Sequence, residues 1–164
     1  WPDFVATWPL LNPPDSSIAG PEQVFSPWQL PLVNTLILIT SSITLTVAHE
    51  ALKVGDRKTC RNWLTGTVLL GCCFIMIQGV EYYEAYAHYG ITLEAGIFGA
   101  TFFILTGFHG VHVIIGTLIL AAMLVRIIKG HFGDENHFGF EASCWYWHFV
   151  DVVWVGLFIF VYVL

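Results

Sequence analysis

The chain has 164 residues, of which 56% are hydrophobic, 16% aromatic and 11% charged, with a formal net charge of −6 at pH 7. That is too little charge to solvate the surface of a water-soluble domain, so the composition excludes a soluble globular protein and points to an integral membrane protein. All six lysines and arginines lie in two short segments, Lys53 to Arg61 and Arg126 to Lys129, which leaves no basic footprint for nucleic acid.

Residues 1–29 hold six of the seven prolines, interleaved with serine and glycine as in Asn12-Pro13-Pro14-Asp15, and read as a loop on the non-cytoplasmic side. The chain begins at Trp1 without a basic-apolar-small signal pattern, so its start reads as a cut or a processing point. Four segments then have the roughly 20 apolar residues that a membrane-spanning helix needs. They are predicted over 30–52, 62–83, 96–128 and 140–164, giving an all-α membrane bundle from 30 to 164. Pro31 falls in the first turn of the first span, where the missing N–H costs nothing. The third segment is uncharged from Ala95 to Val125, roughly 46 Å of helix, so tilt or an extramembrane turn absorbs the excess. The fourth carries Trp145, Tyr146 and Trp147 where an interfacial aromatic belt would anchor it. Cys72 and Cys73 are adjacent in an apolar run, and Cys60 and Cys144 fall near span ends. Neither a disulfide framework nor a CxxC metal site is suggested.

Lys and Arg are enriched in cytoplasmic loops. Both basic segments are therefore expected to face the cytoplasm, or the equivalent negative side of an organelle membrane. The intervening segments, Trp1 to Gln29 and Glu84 to Ala95, carry only acidic charge, which agrees with that assignment.

Ionisable residues inside spans are costly and are functional candidates by default. Here they are His49, Glu81, Glu84, His109, His112, Glu141, His148 and Asp151. His109 and His112 share one helix face between Gly107 and Gly110 and could bind a metal or haem. Against a bis-histidine haem, His112 lies about 21 Å from the end at Arg126 and His148 only about 6 Å inside its own span, so the two are expected at different depths. His49 and His148 are expected to share a depth. Glu81, Glu84 and His88 resemble half of a carboxylate-histidine metal site, but the other helices supply no second half; a solvated or hydrogen-bonded helix end is the expectation. His148 and Asp151, three apart, suit a proton relay or a structural interhelical contact. Arg126, Lys129 and His131 are candidates for binding a phospholipid phosphate, and Tyr82 and Tyr83 for a second headgroup at the opposite surface.

The stretch His131-Phe132, His137-Phe138-Gly139-Phe140-Glu141-Ala142 and Trp145-Tyr146-Trp147-His148-Phe149-Val150-Asp151-Val152-Val153-Trp154 resembles the last loop and final helix of subunit III of haem-copper cytochrome c oxidases. The resemblance extends through Leu32-Val33-Asn34-Thr35, Ala48-His49, Glu81-Tyr82-Tyr83-Glu84 and Thr106-Gly107-Phe108-His109-Gly110-Val111-His112-Val113. It implies the last four helices of a seven-helix fold. It also implies a subunit with no catalytic centre, haem or copper of its own, in an oxidoreductase and proton-translocating complex of aerobic respiration. Haem and copper would reside in partners, with core subunit I as neighbour, phospholipid as ligand, and proton uptake and turnover stability as the processes supported. The membrane implied is a bacterial inner membrane or the mitochondrial inner membrane.

The family's first three helices, one of which bears its reactive carboxylate, have no counterpart here; either a separate chain supplies them or they lie outside these residues. Glu50 stands where the family commonly repeats histidine after His49, and residues 1–26 are longer and less similar than the family pattern. Two other readings of the residues stand beside this one. One is a membrane di-haem cytochrome using His49, His109, His112 and His148; the other is a proton or small-solute channel using Glu81, His109 and Asp151, which would need a continuous polar path.

Overall fold

The computed structural model describes residues 30–87, 96–130 and 138–163. Four α-helices account for almost all of them: α1 (Leu30–Lys53), α2 (Arg57–Ala87), α3 (Gly96–Ile128) and α4 (Phe138–Leu157), the last continuing into a π-helical stretch over Phe158–Val163. Each is long and apolar enough to cross a membrane. The loop over 1–29, together with His88 and His131, lies outside the described residues.

The helices close into a ring in which α1 packs on α2, α2 on α3, α3 on α4 and α4 on α1. Contacts between neighbours run in opposite directions along the two chains. Ser41 and Thr35 on α1 receive the indoles of Trp147 and Trp154 on α4, while His109 and His112 on α3 meet Val150 and Tyr146 on α4. This is an antiparallel four-helix bundle.

Burial on α2 falls on Cys60, Leu64, Thr67, Gly71, Phe74, Gln78, Glu81 and Ala85, alternating steps of four and three. On α4 the fully enclosed Phe140, Trp147 and Trp154 stand seven apart. These are the spacings of a left-handed, coiled-coil-like bundle. The outer faces stay apolar, with Leu36, Ile43, Leu69, Met76, Phe108, Leu118, Phe149 and Val152 exposed, as suits a surface solvated by lipid tails.

The turn between α1 and α2 is fixed by local chemistry. Gly55, at φ 77°, occupies the left-handed position after α1. Its N–H bonds the Leu52 carbonyl and that of Asp56 bonds Ala51, which is a Schellman closure. Asp56 then caps α2 by accepting from the Thr59 N–H at 3.1 Å. Because this cap starts the helix, α2 begins at Arg57, five residues before the apolar span expected from Asn62.

Candidate functional site

The basic end of the bundle gathers more cations than either sequence segment suggests alone. Arg126 and Lys129 are exposed at the end of α3. The Arg126 guanidinium lies 3.8 Å from where a β-carbon on Gly139 would stand, and that of Arg57 lies 3.6 Å from the same point on Gly130. The start of α2, the end of α3 and the start of α4 thus meet at one corner. Lys53 pairs with Glu50 at 2.8 Å, and half-buried Glu141 acts on Lys53 electrostatically. The Asp56 carboxyl is held below the usual carboxylate range by its bonds from Thr59.

At mid-bundle the small hydroxyl residues of α1 receive groups from both neighbours. Thr44 and Thr67 hydroxyls are 2.8 Å apart across α1 and α2. The Trp147 indole N–H donates to Ser41 Oγ at 3.0 Å. Ser42 is hydrogen-bonded to His148 Nδ1 and also faces the Asp151 carboxyl, whose two oxygens are buried without a good hydrogen bond among the described residues. Gly71 and Gly116 form the slot that admits the Trp147 ring: a β-carbon on either would stand 2.9 Å from it.

Nearer the opposite end the four helices meet around Trp154. Its indole donates to Thr35 Oγ1 at 3.1 Å, and its ring lies edge-on to Phe74 and tilted on His109, both with centroids 4.9 Å away. His109 donates from Nε2 to the Val150 carbonyl at 3.1 Å. Beyond it the Tyr162 hydroxyl donates to Glu81 Oε1 at 2.7 Å. Glu81 is wholly enclosed, so the solvated alternative for this helix end gives way to the hydrogen-bonded one. Glu84, one turn on, is half-buried. Tyr82 turns inward and shares a 2.7 Å hydrogen bond with Thr106, whereas Tyr83 points outward at 70% exposure.

The family model of cytochrome c oxidase subunit III matches residues 14–164. The chain belongs to the cytochrome c oxidase subunit III family. Cytochrome c oxidase subunit 3 of Gadus morhua is 52% identical over 136 residues, 83% of this chain and 51% of that protein. The subunit 3 of Scyliorhinus canicula is 45% identical over 163 residues, 98% of this chain and 57% of that protein. The chain spans about half the length of the curated relatives it matches. Segments in which this subunit III chain resembles its family, Glu81 to Glu84, Thr106 to Val113 and Trp145 to Trp154, supply Glu81, Tyr82, Thr106, His109, Trp147 and Trp154 to the contacts between helices.

Two depth expectations for the histidines are overturned. α4 of this subunit III chain starts at Phe138, so His148 is about 15 Å along its helix. His112 is level with it, since its ring stacks on Tyr146 at 6.5 Å and its carbonyl accepts from the Tyr146 hydroxyl at 3.3 Å. His49 instead lies against Phe140 with ring centroids 5.9 Å apart, two turns of α4 from His148. Both errors came from counting the depth of His148 from about four residues before it rather than from the helix start at Phe138. What separates the imidazoles is direction: His148 faces α1, His109 faces the α4 backbone, exposed His112 lies on the outer surface, and His49 sits near the basic end. Among the described residues no three His, Cys, Asp or Glu side chains converge as a metal site.

Proposed function

We propose that this chain is a non-redox, lipid-holding structural part of a proton-pumping terminal oxidase of the respiratory chain. It would pack beside the core subunit I, which with its partners holds haem and copper, and would sustain proton uptake and stability during turnover. Its basic end would face the bacterial cytoplasm or the mitochondrial matrix, and other chains would complete the assembly. The observation that carries this reading is the family membership, shared over most of the chain. The bundle agrees with it: several polar side chains of α1 to α4 bond one another across the helices, and the outer faces are left apolar for lipid and neighbouring subunits.

Arg126 and Lys129, with His131 in the following segment, are proposed to hold a lipid phosphate. A basic side chain near an anionic headgroup contributes on the order of 1 kcal/mol. Tyr83, with Tyr82 beside it, is proposed to meet a headgroup at the other surface. Replacing Arg126 with Ala should lower the phospholipid that co-purifies with the complex while its haem spectrum stays unchanged; unaltered lipid content would refute the assignment. The di-haem alternative requires imidazoles that face one another, and these four do not. The channel alternative requires a continuous polar path, whereas Phe74 and Trp154 close the bundle beside His109.

A further inference from the structure

We propose that Asn34, Gln78, Glu81 and Tyr162 enclose an internal water site where α1, α2 and the π-helical end of α4 meet. Asn34 and Glu81 are 0% exposed and Gln78 and Tyr162 are 7% exposed. Both polar atoms of the Asn34 amide, both of the Gln78 amide and Glu81 Oε2 have no hydrogen-bond partner among the described residues. A polar group buried in apolar surroundings without a partner costs several kcal/mol, and a bilayer supplies no solvent to relieve it.

The four side chains belong to one place. The Thr44–Thr67 contact fixes the antiparallel register of α1 and α2. Asn34 lies ten residues before Thr44 and Gln78 eleven after Thr67, about 15 and 16.5 Å along their helices, so they stand level on the two buried faces. Glu81 is one turn beyond Gln78 and holds the Tyr162 hydroxyl at 2.7 Å, and Gln78 faces that same hydroxyl. On the basic side Trp154 and Phe74 close the site. Phe102, with its ring centroid 5.8 Å from Tyr162, closes it toward α3.

Enclosure decides the chemistry of the occupant. Side chains of other subunits would meet the outer faces of this bundle, while these atoms point to its interior. A small neutral molecule that both donates and accepts is required, because the set mixes amide N–H groups with carbonyl and carboxyl oxygens. Water is that molecule. A buried water makes about three hydrogen bonds, so two satisfy the five orphan atoms. The π-helical stretch is a second, independent pointer. π-Helical turns are rare and frequent at functional sites, and this one, at the end of α4, delivers Tyr162 to Glu81.

The test is a water-resolving electron cryo-microscopy map of the intact oxidase complex containing this chain. We expect solvent density within about 2.7–3.2 Å of polar atoms on at least two of Asn34, Gln78 and Glu81. Direct pairing of the two amides without such density, or a side chain from elsewhere filling the space, would overturn the proposal. Infrared spectra in ordinary and 18O-labelled water give a second readout: an isotope-shifted internal-water O–H band should be present in the native complex and lost in Gln78→Leu. If that variant does not assemble, Asn34→Ala removes the opposite wall and should alter the same band; a band unchanged in whichever variant assembles would overturn the proposal.

Discussion

Trp147 shows how single residues set the packing. Its ring occupies a slot that exists because positions 71 and 116 are glycine, and its N–H reaches Ser41. Gly116→Ala would place a methyl 2.9 Å from that ring and 3.2 Å from Tyr146, an overpacking that should cost about 1–3 kcal/mol. The thermal midpoint of the complex should fall accordingly, while Gly66→Ala, which meets nothing within 4 Å, should leave it unchanged. An equal response of the two variants would contradict the slot. His148→Ala removes the contact with Ser42 and should cost roughly 0.6–2 kcal/mol, the range of intramembrane polar contacts. Haem absorbance in the assembled complex should stay as it was; a shifted haem band would contradict a structural role. That such histidines and acids were worth singling out was legible from their presence in apolar spans. Their partners were not, because Val150 contributes a backbone carbonyl and Ser42 is an ordinary small residue in the sequence.

At the scale of the helix, four spans could be read from length and hydropathy, but their inward faces could not be read from hydropathy. In a membrane the outer surface is as apolar as the core, so the usual amphipathic period fades. The inward face of α2 is marked instead by small and polar residues, Thr67, Gly71, Gln78, Glu81 and Ala85, at steps of four, seven, three and four. That pattern was present in the sequence and would have placed Glu81 inside. The start of α2 was missed for a different reason: Asp56 and Gly55 build a cap from backbone geometry that hydropathy does not register. The folded-state affinity of Asp56 for a proton is lowered by its bonds from Thr59, so the cap supports α2 above the ordinary carboxylate pKa and is lost as pH falls through and below that range. Protection of the amides at the start of α2, taken relative to the intrinsic exchange rate at each pH, should therefore fall in Asp56→Ala at neutral pH, and in the native chain only under acid. Equal exchange in both chains at neutral pH would contradict the cap.

At the scale of the whole molecule, the family was legible because its most specific segments coincide with the residues that knit α2, α3 and α4 together. The corner where Arg57 comes beside Gly130 and Arg126 beside Gly139 was not legible, since Arg57 and Gly130 are far apart in sequence and come together only when α2 and α3 close the ring. The central claim is that the bundle supports an oxidase without taking part in electron transfer. Oxygen consumption followed over time, for the complex with and without this chain, tests it most directly. A near-normal initial rate is expected without the chain, followed by progressive inactivation during turnover that is faster as pH rises and protons become scarce. An immediate and complete loss of activity with altered haem absorbance would contradict it.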